Sequence, residues 1–141
     1  MTDWLTGLQW EMKTNDWTVH DQDNSYTWST SGDGNVTDAD GTVFTEFLTT
    51  LNSGVCFAGQ CDWRLPTIAE LLTILLEPFP CTTSPCVDQA VFGPTLGQGH
   101  WSATTFAPFP GYARGVHFHN GIVYDDPKDY NRHVRAVRAG L

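Results

Sequence analysis

Two histidines, His117 and His119, stand two residues apart in the segment GVHFHNGIVYDDP. Because side chains alternate along a β-strand, this spacing places both imidazoles on one face. Such a pair could bind a metal ion, carry out acid–base chemistry or contact a partner. A metal site would need a third ligand. The candidates for that ligand are His100, Asp125 and His133. A metal-dependent enzyme that uses His117 and His119 is therefore one alternative function.

The dipeptide Asn120-Gly121 between two apolar-rich runs predicts a two-residue β-hairpin turn. This turn would pair His119 with Ile122 and His117 with Tyr124. The outer face of the hairpin would then carry His117, His119, Ile122 and Tyr124. The inner face would carry Val116, Phe118 and Val123. We interpret the inner face as scaffold and the outer face as the surface available to a ligand.

A Ser/His/acid set for nucleophilic catalysis could be assembled from Ser102, His100 and Asp88, but the G-x-S-x-G motif of a nucleophile elbow does not occur. We therefore assign no catalytic residues and expect a non-enzymatic protein.

Two acidic stretches invite a calcium interpretation. They contain Asp21, Asp23 and Asn24, and Asp33, Asn35, Asp38 and Asp40. Neither matches an EF-hand, because the twelfth position counted from Asp33 is Phe44 instead of the bidentate glutamate. We expect no cofactor, with a calcium ion that stabilises a loop as the alternative.

The composition excludes several classes of partner. The formal net charge of −9 and the pI of about 4.6 argue against nucleic acid and anionic membranes. No apolar run approaches the length that a bilayer requires. The start, MTDWLTGLQW, has neither the basic nor the apolar region of a signal peptide, so the sequence leaves export open.

The four cysteines form two close pairs, Cys56 with Cys61 and Cys81 with Cys86. Each intervening loop contains turn-forming residues, so two local disulfides are the favoured interpretation, and these imply an oxidising compartment. A single zinc site that uses all four thiolates is the alternative.

The remaining patterns predict the elements that must position these side chains. Leu8, Trp10 and Met12 alternate with polar residues and predict a half-buried strand. Phe44, Phe47, Leu48 and Leu51 have helical spacing, and Thr67 with Glu70 forms a capping box for a second helix. Both helices should be about three turns long. Short strand-like segments follow at 100–104, 113–119, 121–125 and 133–139. The order predicts an α+β fold with small antiparallel sheets.

Several segments together resemble one bacterial family. They are TGLQWEMK, HDQDNSYTW, DWRLPTIAELLTIL, VFGPT, HWSATT and the closing VRAVRAG. This combination resembles the Lcl C-terminal domain, which is named after a collagen-like adhesin, and it extends over residues 1–141 as a single domain. The resemblance implies a C-type-lectin-like fold, in which the first and last strands pair. Leu8–Met12 should then lie beside Val134–Val137.

The resemblance also implies a secreted or surface-exposed binding or adhesion module. Some relatives are variable proteins of diversity-generating retroelements, which mutate adenines in the C-terminal coding segment. Mutation of an AAC codon at adenines never yields Glu, Gln, Met, Lys or Trp. Residues 99–141 contain no Glu, Gln or Met, one Lys and one Trp, whereas residues 1–98 use all five types freely. This bias is compatible with diversification and equally with chance in a short segment.

We therefore predict a ligand-binding surface on the C-terminal segment that combines aromatic contact area with polar specificity. Its residues are His100, Phe106, Phe109, Tyr112, Arg114, His117, His119, Ile122, Tyr124, Asp125, Asp126, Tyr130, Asn131 and His133. Phe109, Tyr112 and Tyr124 are the expected anchors. The expected partner is a protein or carbohydrate on a cell or host surface, outside the cell. The other alternative is a structural subunit of a surface fibre or phage tail, with oligomers formed by the same face.

Asp62, Trp63 and Arg64 of the DWRLPT segment have a structural interpretation. We expect Trp63 in the core and Arg64 paired with a carboxylate or with backbone carbonyls at the start of the second helix. Arg135 and Arg138 are expected to form scaffold ion pairs.

Overall fold

The computed structural model describes residues 1–31 and 38–140, which form two small antiparallel sheets connected by short helices and long loops. The strands are β1 (Thr2–Asp3), β2 (Leu8–Trp10), β3 (Gly99–Thr105), β4 (Tyr112–His117), β5 (Ile122–Pro127) and β6 (Val137–Ala139). The α-helices are α1 (Thr49–Leu51), α2 (Ile68–Leu72) and α3 (Gln89–Phe92). A π-helical segment, Val43–Leu48, precedes α1, and a 3-10 turn covers Phe57–Gly59. The predicted α+β class is confirmed.

The first sheet joins the two ends of the chain in the order β1-β2-β6. Leu8 pairs with Ala139 and Trp10 pairs with Val137, in antiparallel orientation. The amide of Glu11 continues the pairing with a 3.0 Å bond to the carbonyl of Ala136. The predicted pairing of the terminal strands is therefore present, and the partner of Leu8 lies two residues beyond the expected segment.

The predicted alternation of β2 fails after Trp10. Met12 is 49% exposed, whereas the side chain of Glu11 is fully buried and that of Lys13 nearly so. The Lys13 ammonium lies 3.0 Å from the Glu11 carboxylate, and the same carboxylate accepts the amide of Ala136. His20 contacts its second oxygen at 2.7 Å. These partners satisfy a charge that would otherwise be too costly to bury.

Arg135 completes this interior group, so we call Glu11, Lys13 and Arg135 the buried charge cluster. The Arg135 guanidinium donates to the carbonyls of Glu11 and Phe92 and to the Thr95 hydroxyl. Burial lowers its pKa to about 10, against the opposing attraction of Glu11. Arg135 is thus a scaffold residue that bonds mainly to backbone and hydroxyl oxygens, which differs from the expected ion pair.

The expected ion pair does form at Arg138, whose Nε lies 2.6 Å from Asp62.

Both predicted helices are present, and both are shorter than expected. Phe47 and Leu51 of the first helical stripe are buried in the core. Thr67 and Glu70 form the predicted capping box, in which each side chain accepts the other residue's amide. The α-helix ends at Leu72 because the following residues bend toward the Cys81–Cys86 loop, and the Leu76 amide bonds the Cys86 carbonyl.

The residues just before the second helix behave as predicted. Trp63 is buried in the core, where its indole N–H donates to the Phe57 carbonyl. Arg64 forms a 2.7 Å ion pair with Glu70 at the start of α2.

The second sheet has the order β3-β4-β5, and its hairpin differs from the prediction. His117 pairs with Ile122 instead of Tyr124, so the loop contains four residues, 118–121. The loop backbone is engaged elsewhere: the Phe118 amide bonds Gln98, and the Phe118 and Asn120 carbonyls accept amides of the Cys81–Cys86 loop. Side chains alternate with a period of two, and the register differs from the prediction by two residues. The strand residues therefore lie on the faces that were predicted for them.

Both predicted disulfides are present, Cys56–Cys61 and Cys81–Cys86. Each closes a loop with a sequence separation of five residues. This finding excludes the alternative in which four free thiolates bind one zinc ion.

Candidate functional site

The predicted ligand-binding residues are divided between the two faces of the β3-β4-β5 sheet. Cross-strand pairing places Arg114 opposite Asp125, and Tyr112 lies on the same face as both. The other face carries His117, Ile122, Tyr124 and Asp126. The structure therefore brings together two smaller groups instead of one continuous surface.

The first group lies in the connection between β3 and β4. Phe106, Phe109 and Tyr112 form a row of rings with centroid separations of 6.1 and 6.0 Å. We call these three residues the aromatic rim. Backbone bonds hold the connection: the Phe106 amide bonds Tyr112, the Tyr112 amide bonds Phe109, and the Phe109 amide bonds Phe106. Phe109 is 59% exposed, so a fixed loop presents an apolar ring to solvent.

A charged pair borders the aromatic rim. The Arg114 Nε lies 3.0 Å from the Asp125 carboxylate across the strand pair. The Arg114 guanidinium also lies 5.8 Å from the centre of the Phe106 ring, within the range of a cation–π contact. The pair leaves polar groups exposed beside the apolar rings, which is the combination found at protein recognition surfaces.

Tyr124 occupies the opposite face and is mostly covered. Its ring lies across Gly115, where a Cβ atom would come within 2.4 Å of the phenol. Trp101 packs 6.3 Å away, and burial raises the pKa of the Tyr124 hydroxyl well above its ordinary value. The expected anchor Tyr124 is thus a packing residue that fixes β5 against β4.

A polar cleft of about 250 Å³ opens beside Tyr124. Its lining consists of Gln98, Gly99, His117, Asn131, Arg132 and His133. Arg132 donates to Asp126 at 2.8 Å, and its guanidinium lies 5.3 Å from the exposed ring of Tyr130. Five predicted residues therefore surround the cleft or contact its wall, namely His117, Asp126, Tyr130, Asn131 and His133.

The sequence interpretation missed Arg132 and Gln98 at this cleft. Arg132 is the residue between the predicted Asn131 and His133, so its position was the available signal. Gln98 gave no signal, because it lies outside the segment with the biased composition.

His100 lies in the interior and not on the predicted surface. It is 2% exposed, its ring packs 4.6 Å from Phe118, and its Nδ1 lies 2.9 Å from the Gln98 carbonyl. Burial holds the pKa of His100 well below its usual value, and the nearby His133 adds to this shift. The neutral ring is therefore a core residue.

His133 is almost as well covered as His100, although it reaches the wall of the polar cleft. Its Nδ1 lies 2.9 Å from the Asn24 carbonyl, and its Nε2 lies 3.0 Å from the Gln98 side chain. Burial lowers its pKa. His133 thus joins the first long loop to the C-terminal segment.

His117 and His119 do not share a face. His117 belongs to β4, whereas His119 lies in the hairpin loop, with its Nδ1 3.3 Å from the Ser84 hydroxyl. Burial lowers the pKa of His117, and the charges of His119 and Arg132 act in the same direction. Across residues 1–31 and 38–140, no group of three or more His, Cys, Asp or Glu side chains is arranged to hold a metal ion.

The acidic loops use their carboxylates for backbone bonds. Asp21 accepts the amides of Asp23 and Trp17, and these bonds lower its pKa. Asp40 accepts the amide of Thr30 and the hydroxyl of Ser29, with the same effect on its pKa. Asp33 and Asn35 of the calcium hypothesis lie outside the described residues.

The residues considered for nucleophilic catalysis have other partners. The Ser102 hydroxyl donates to the Arg114 carbonyl at 2.6 Å. Asp88 caps α3 by accepting the amide of Ala90. The bonds of Ser102, His100 and Asp88 therefore serve the fold.

These observations define a small, disulfide-bonded α+β domain whose C-terminal sheet presents an exposed aromatic rim and a polar cleft. A family model, the Lcl C-terminal domain, matches residues 1–138, and the chain belongs to that family. No curated protein sequence matches it significantly. The family is consistent with a surface-associated, adhesin-like module, and the two disulfides point to an oxidising environment. No helix of the described chain is long and apolar enough to cross a membrane.

Proposed function

We propose that this domain is a binding or adhesion module that holds a protein or carbohydrate ligand against its aromatic rim. The observation that carries the proposal is the exposed ring of Phe109, held in a loop whose backbone is fixed by its own bonds. A fixed aromatic ring provides contact area without a large loss of conformational entropy on binding. The neighbouring Arg114 and Asp125 supply polar contacts of both signs.

The proposed role is non-enzymatic and extracellular, on a C-type-lectin-like fold. Support for the fold comes from the pairing of β2 with β6 and from the separate C-terminal sheet that carries the rim. Support for the location comes from the two disulfides. The engagement of Ser102 and His100 with backbone carbonyls supports the absence of a catalytic role.

We further propose that a retroelement diversifies the C-terminal segment. Exposed positions such as Phe109, Ile122, Tyr130 and Asn131 could change without disturbing the core, whereas Phe118 and Val116 are buried. The neighbouring DNA tests this idea. A reverse transcriptase gene and a near-copy of the 3′ coding segment that differs at adenines are expected, and their absence would rule it out.

The binding proposal is tested with arrays of glycans and of extracellular-matrix proteins. We expect the purified domain to bind at least one component, and the double variant Phe106→Ala/Phe109→Ala to lose this binding. The control is Trp4→Ala, which removes an exposed ring from the turn between β1 and β2. Retained binding by the folded double variant, or no binding by the native domain, would contradict the proposal.

A further inference from the structure

An apolar groove of about 510 Å³ lies on a different part of the domain from the aromatic rim. One wall is formed by the end of α2 and the residues that follow it, and the other by Gly121, Ile122 and Val123. We call this feature the apolar groove. Leu76 and Phe79 on its first wall are 51% and 53% exposed. Large apolar side chains that cluster in solvent mark interaction sites.

The apolar groove meets β5 at the hairpin end of the strand. The side chains of Ile122 and Val123 point to opposite faces of the sheet, and both line the groove. The groove therefore reaches both faces of the sheet at the first two residues of β5. β5 is also the terminal strand in the order β3-β4-β5, and no described strand pairs with its outer edge.

The opposite edge of the same sheet is covered. The amide of Trp101 in β3 bonds the His133 carbonyl, and the amide of Ala103 bonds the Pro66 carbonyl. The two edges therefore differ: β3 is closed by the domain's own backbone, whereas β5 offers strand hydrogen-bonding groups next to apolar side chains. An open edge of this kind accepts an added strand.

The walls of the apolar groove are held together before any partner arrives. In the Cys81–Cys86 loop, the Cys81 amide bonds the Asn120 carbonyl at 2.8 Å, and the Cys86 amide bonds Phe118 at 2.7 Å. The Leu76 amide bonds the Cys86 carbonyl at 3.2 Å. The disulfide loop thus connects the first wall to the hairpin that forms the second. A preformed groove lowers the entropic cost of binding.

The charges near the groove specify the chemistry of its partner. Among the described residues that line it, Glu77 alone is charged. Asp125 and Asp126 of β5 are each already paired with an arginine, Arg114 and Arg132 respectively, so Glu77 is the acidic group left at the groove. The whole chain has a net charge of −9. A complementary segment is therefore apolar on the side that faces the groove and carries Lys or Arg beside it.

We propose that the outer edge of β5 and the apolar groove together bind an extended, basic peptide segment of another protein as a fourth strand. Its backbone pairs with β5, and alternate apolar side chains enter between Leu76 and Ile122. This site does not include the aromatic rim. Ile122 is the one residue of the predicted ligand-binding set that lines the groove. The rim and the groove can therefore be disabled separately.

The test uses a phage-displayed library of random linear peptides selected on the folded, oxidised domain. We expect enriched peptides with alternating apolar residues and flanking Lys or Arg. The variant Leu76→Lys should weaken them by at least about tenfold, because it removes an apolar contact and repels a basic peptide. The matched control is Leu5→Lys, at a side chain that is 98% exposed in the turn between β1 and β2.

Methylation of peptide nitrogens separates strand addition from simple apolar contact. N-methyl groups at alternate residues, on the edge that faces β5, should abolish binding, whereas N-methyl groups at the intervening residues should leave it intact. Enriched peptides that bind Leu76→Lys as well as the native domain would overturn the proposal. So would equal tolerance of both methylation patterns, or the absence of any enriched peptide.

A second copy of this chain is the competing occupant. Light scattering of the purified domain distinguishes it, and we expect a monomer. A dimer that Leu76→Lys dissociates and Leu5→Lys does not would assign the groove to self-association and overturn the peptide proposal. The Phe106→Ala/Phe109→Ala variant should lose the ligand found on the arrays and still bind the groove peptides. The two proposals can therefore fail independently.

Discussion

The buried charge cluster and the Arg114–Asp125 pair beside the aromatic rim use the same kinds of residue for opposite purposes. Arg135 is almost fully buried, and its guanidinium bonds two carbonyls and a hydroxyl. Arg114 is partly exposed and pairs with Asp125 across two strands beside Phe106. In the first region charge fixes how β2 meets the C-terminal segment, and in the second it lies where a ligand can reach it.

The comparison shows that burial and not residue type decides what a charged side chain does. A buried charge that loses its partner carries the full cost of desolvation, whereas an exposed pair can exchange its partner for water. Substitutions in the buried charge cluster should therefore change stability, and substitutions at the aromatic rim should change binding alone.

Glu11→Gln should have the largest effect on stability. Burial alone would raise the pKa of Glu11, but Lys13, His20, the Ala136 amide and Arg135 together lower it, so the carboxylate is charged. Its removal leaves Lys13 and Arg135 buried without a counter-charge, and we expect a loss of about 3–5 kcal/mol. Urea unfolding measures the loss, with the exposed Glu46→Gln as control. A loss below about 1 kcal/mol would show that the cluster does not support the fold.

Protonation of the interior histidines at low pH should lower the free energy of unfolding by a smaller amount. The pKa of His100 lies well below its usual 6.5, mainly because the ring is buried, and His133, Arg135 and Lys13 add like charge. As the pH falls, His100 is therefore protonated in the unfolded chain before it is protonated in the folded domain. The free energy of unfolding is highest above pH 6.5 and decreases below that pH. We expect a loss of about 1–2 kcal/mol between neutral pH and about pH 5.5 from His100.

Urea unfolding of His100→Gln at the two pH values checks this prediction. The variant should lose part of the pH dependence, whereas His119→Gln, at an exposed loop position, should keep it. An unchanged dependence in His100→Gln would mean that its burial does not govern the acid response.

Arg114→Met should change stability by less than about 1 kcal/mol, because the Arg114–Asp125 pair is partly exposed. The matched variant is Arg135→Met, which removes the donors for two carbonyls and for Thr95 and should cost about 3 kcal/mol or more. Equal losses in the two variants would remove the distinction between the regions.

The fold class and several features that stabilise it could be predicted from the sequence. The capping box of Thr67 and Glu70, the two disulfides and the meeting of the terminal strands all depend on short spacings or on a resemblance that covers the chain. Each of these features is specified by residues close in sequence or by the pairing of whole segments.

Burial of single polar side chains could not be predicted in the same way. Alternation assigned Glu11 to solvent, but its partners Ala136 and His20 come from other segments. The hairpin register was also wrong, and here too the backbone of residues 118–120 bonds to distant segments, namely Gln98 and the Cys81–Cys86 loop. Contacts between distant segments override local preference at such positions.

The candidate site was predicted in part. Phe106, Phe109, Tyr112 and Arg114 lie together, and their role in binding stays a prediction, whereas Tyr124 and His100 support the sheet from within. Composition indicates which segment carries exposed aromatics, but only the register assigns each residue to a face. The cleft residue Arg132 was missed although it lies between the predicted Asn131 and His133, because its residue type alone does not separate a cleft residue from a surface charge.

The most direct test of the binding proposal measures affinity and stability together for Phe109→Ala. The Phe109 ring is exposed and belongs to the loop between β3 and β4, so the free energy of unfolding should change by less than about 0.5 kcal/mol. Affinity for the ligand identified on the arrays should fall by at least about tenfold. Unchanged affinity with an intact fold, or a loss of affinity that merely follows a loss of stability, would contradict the aromatic rim as the binding surface.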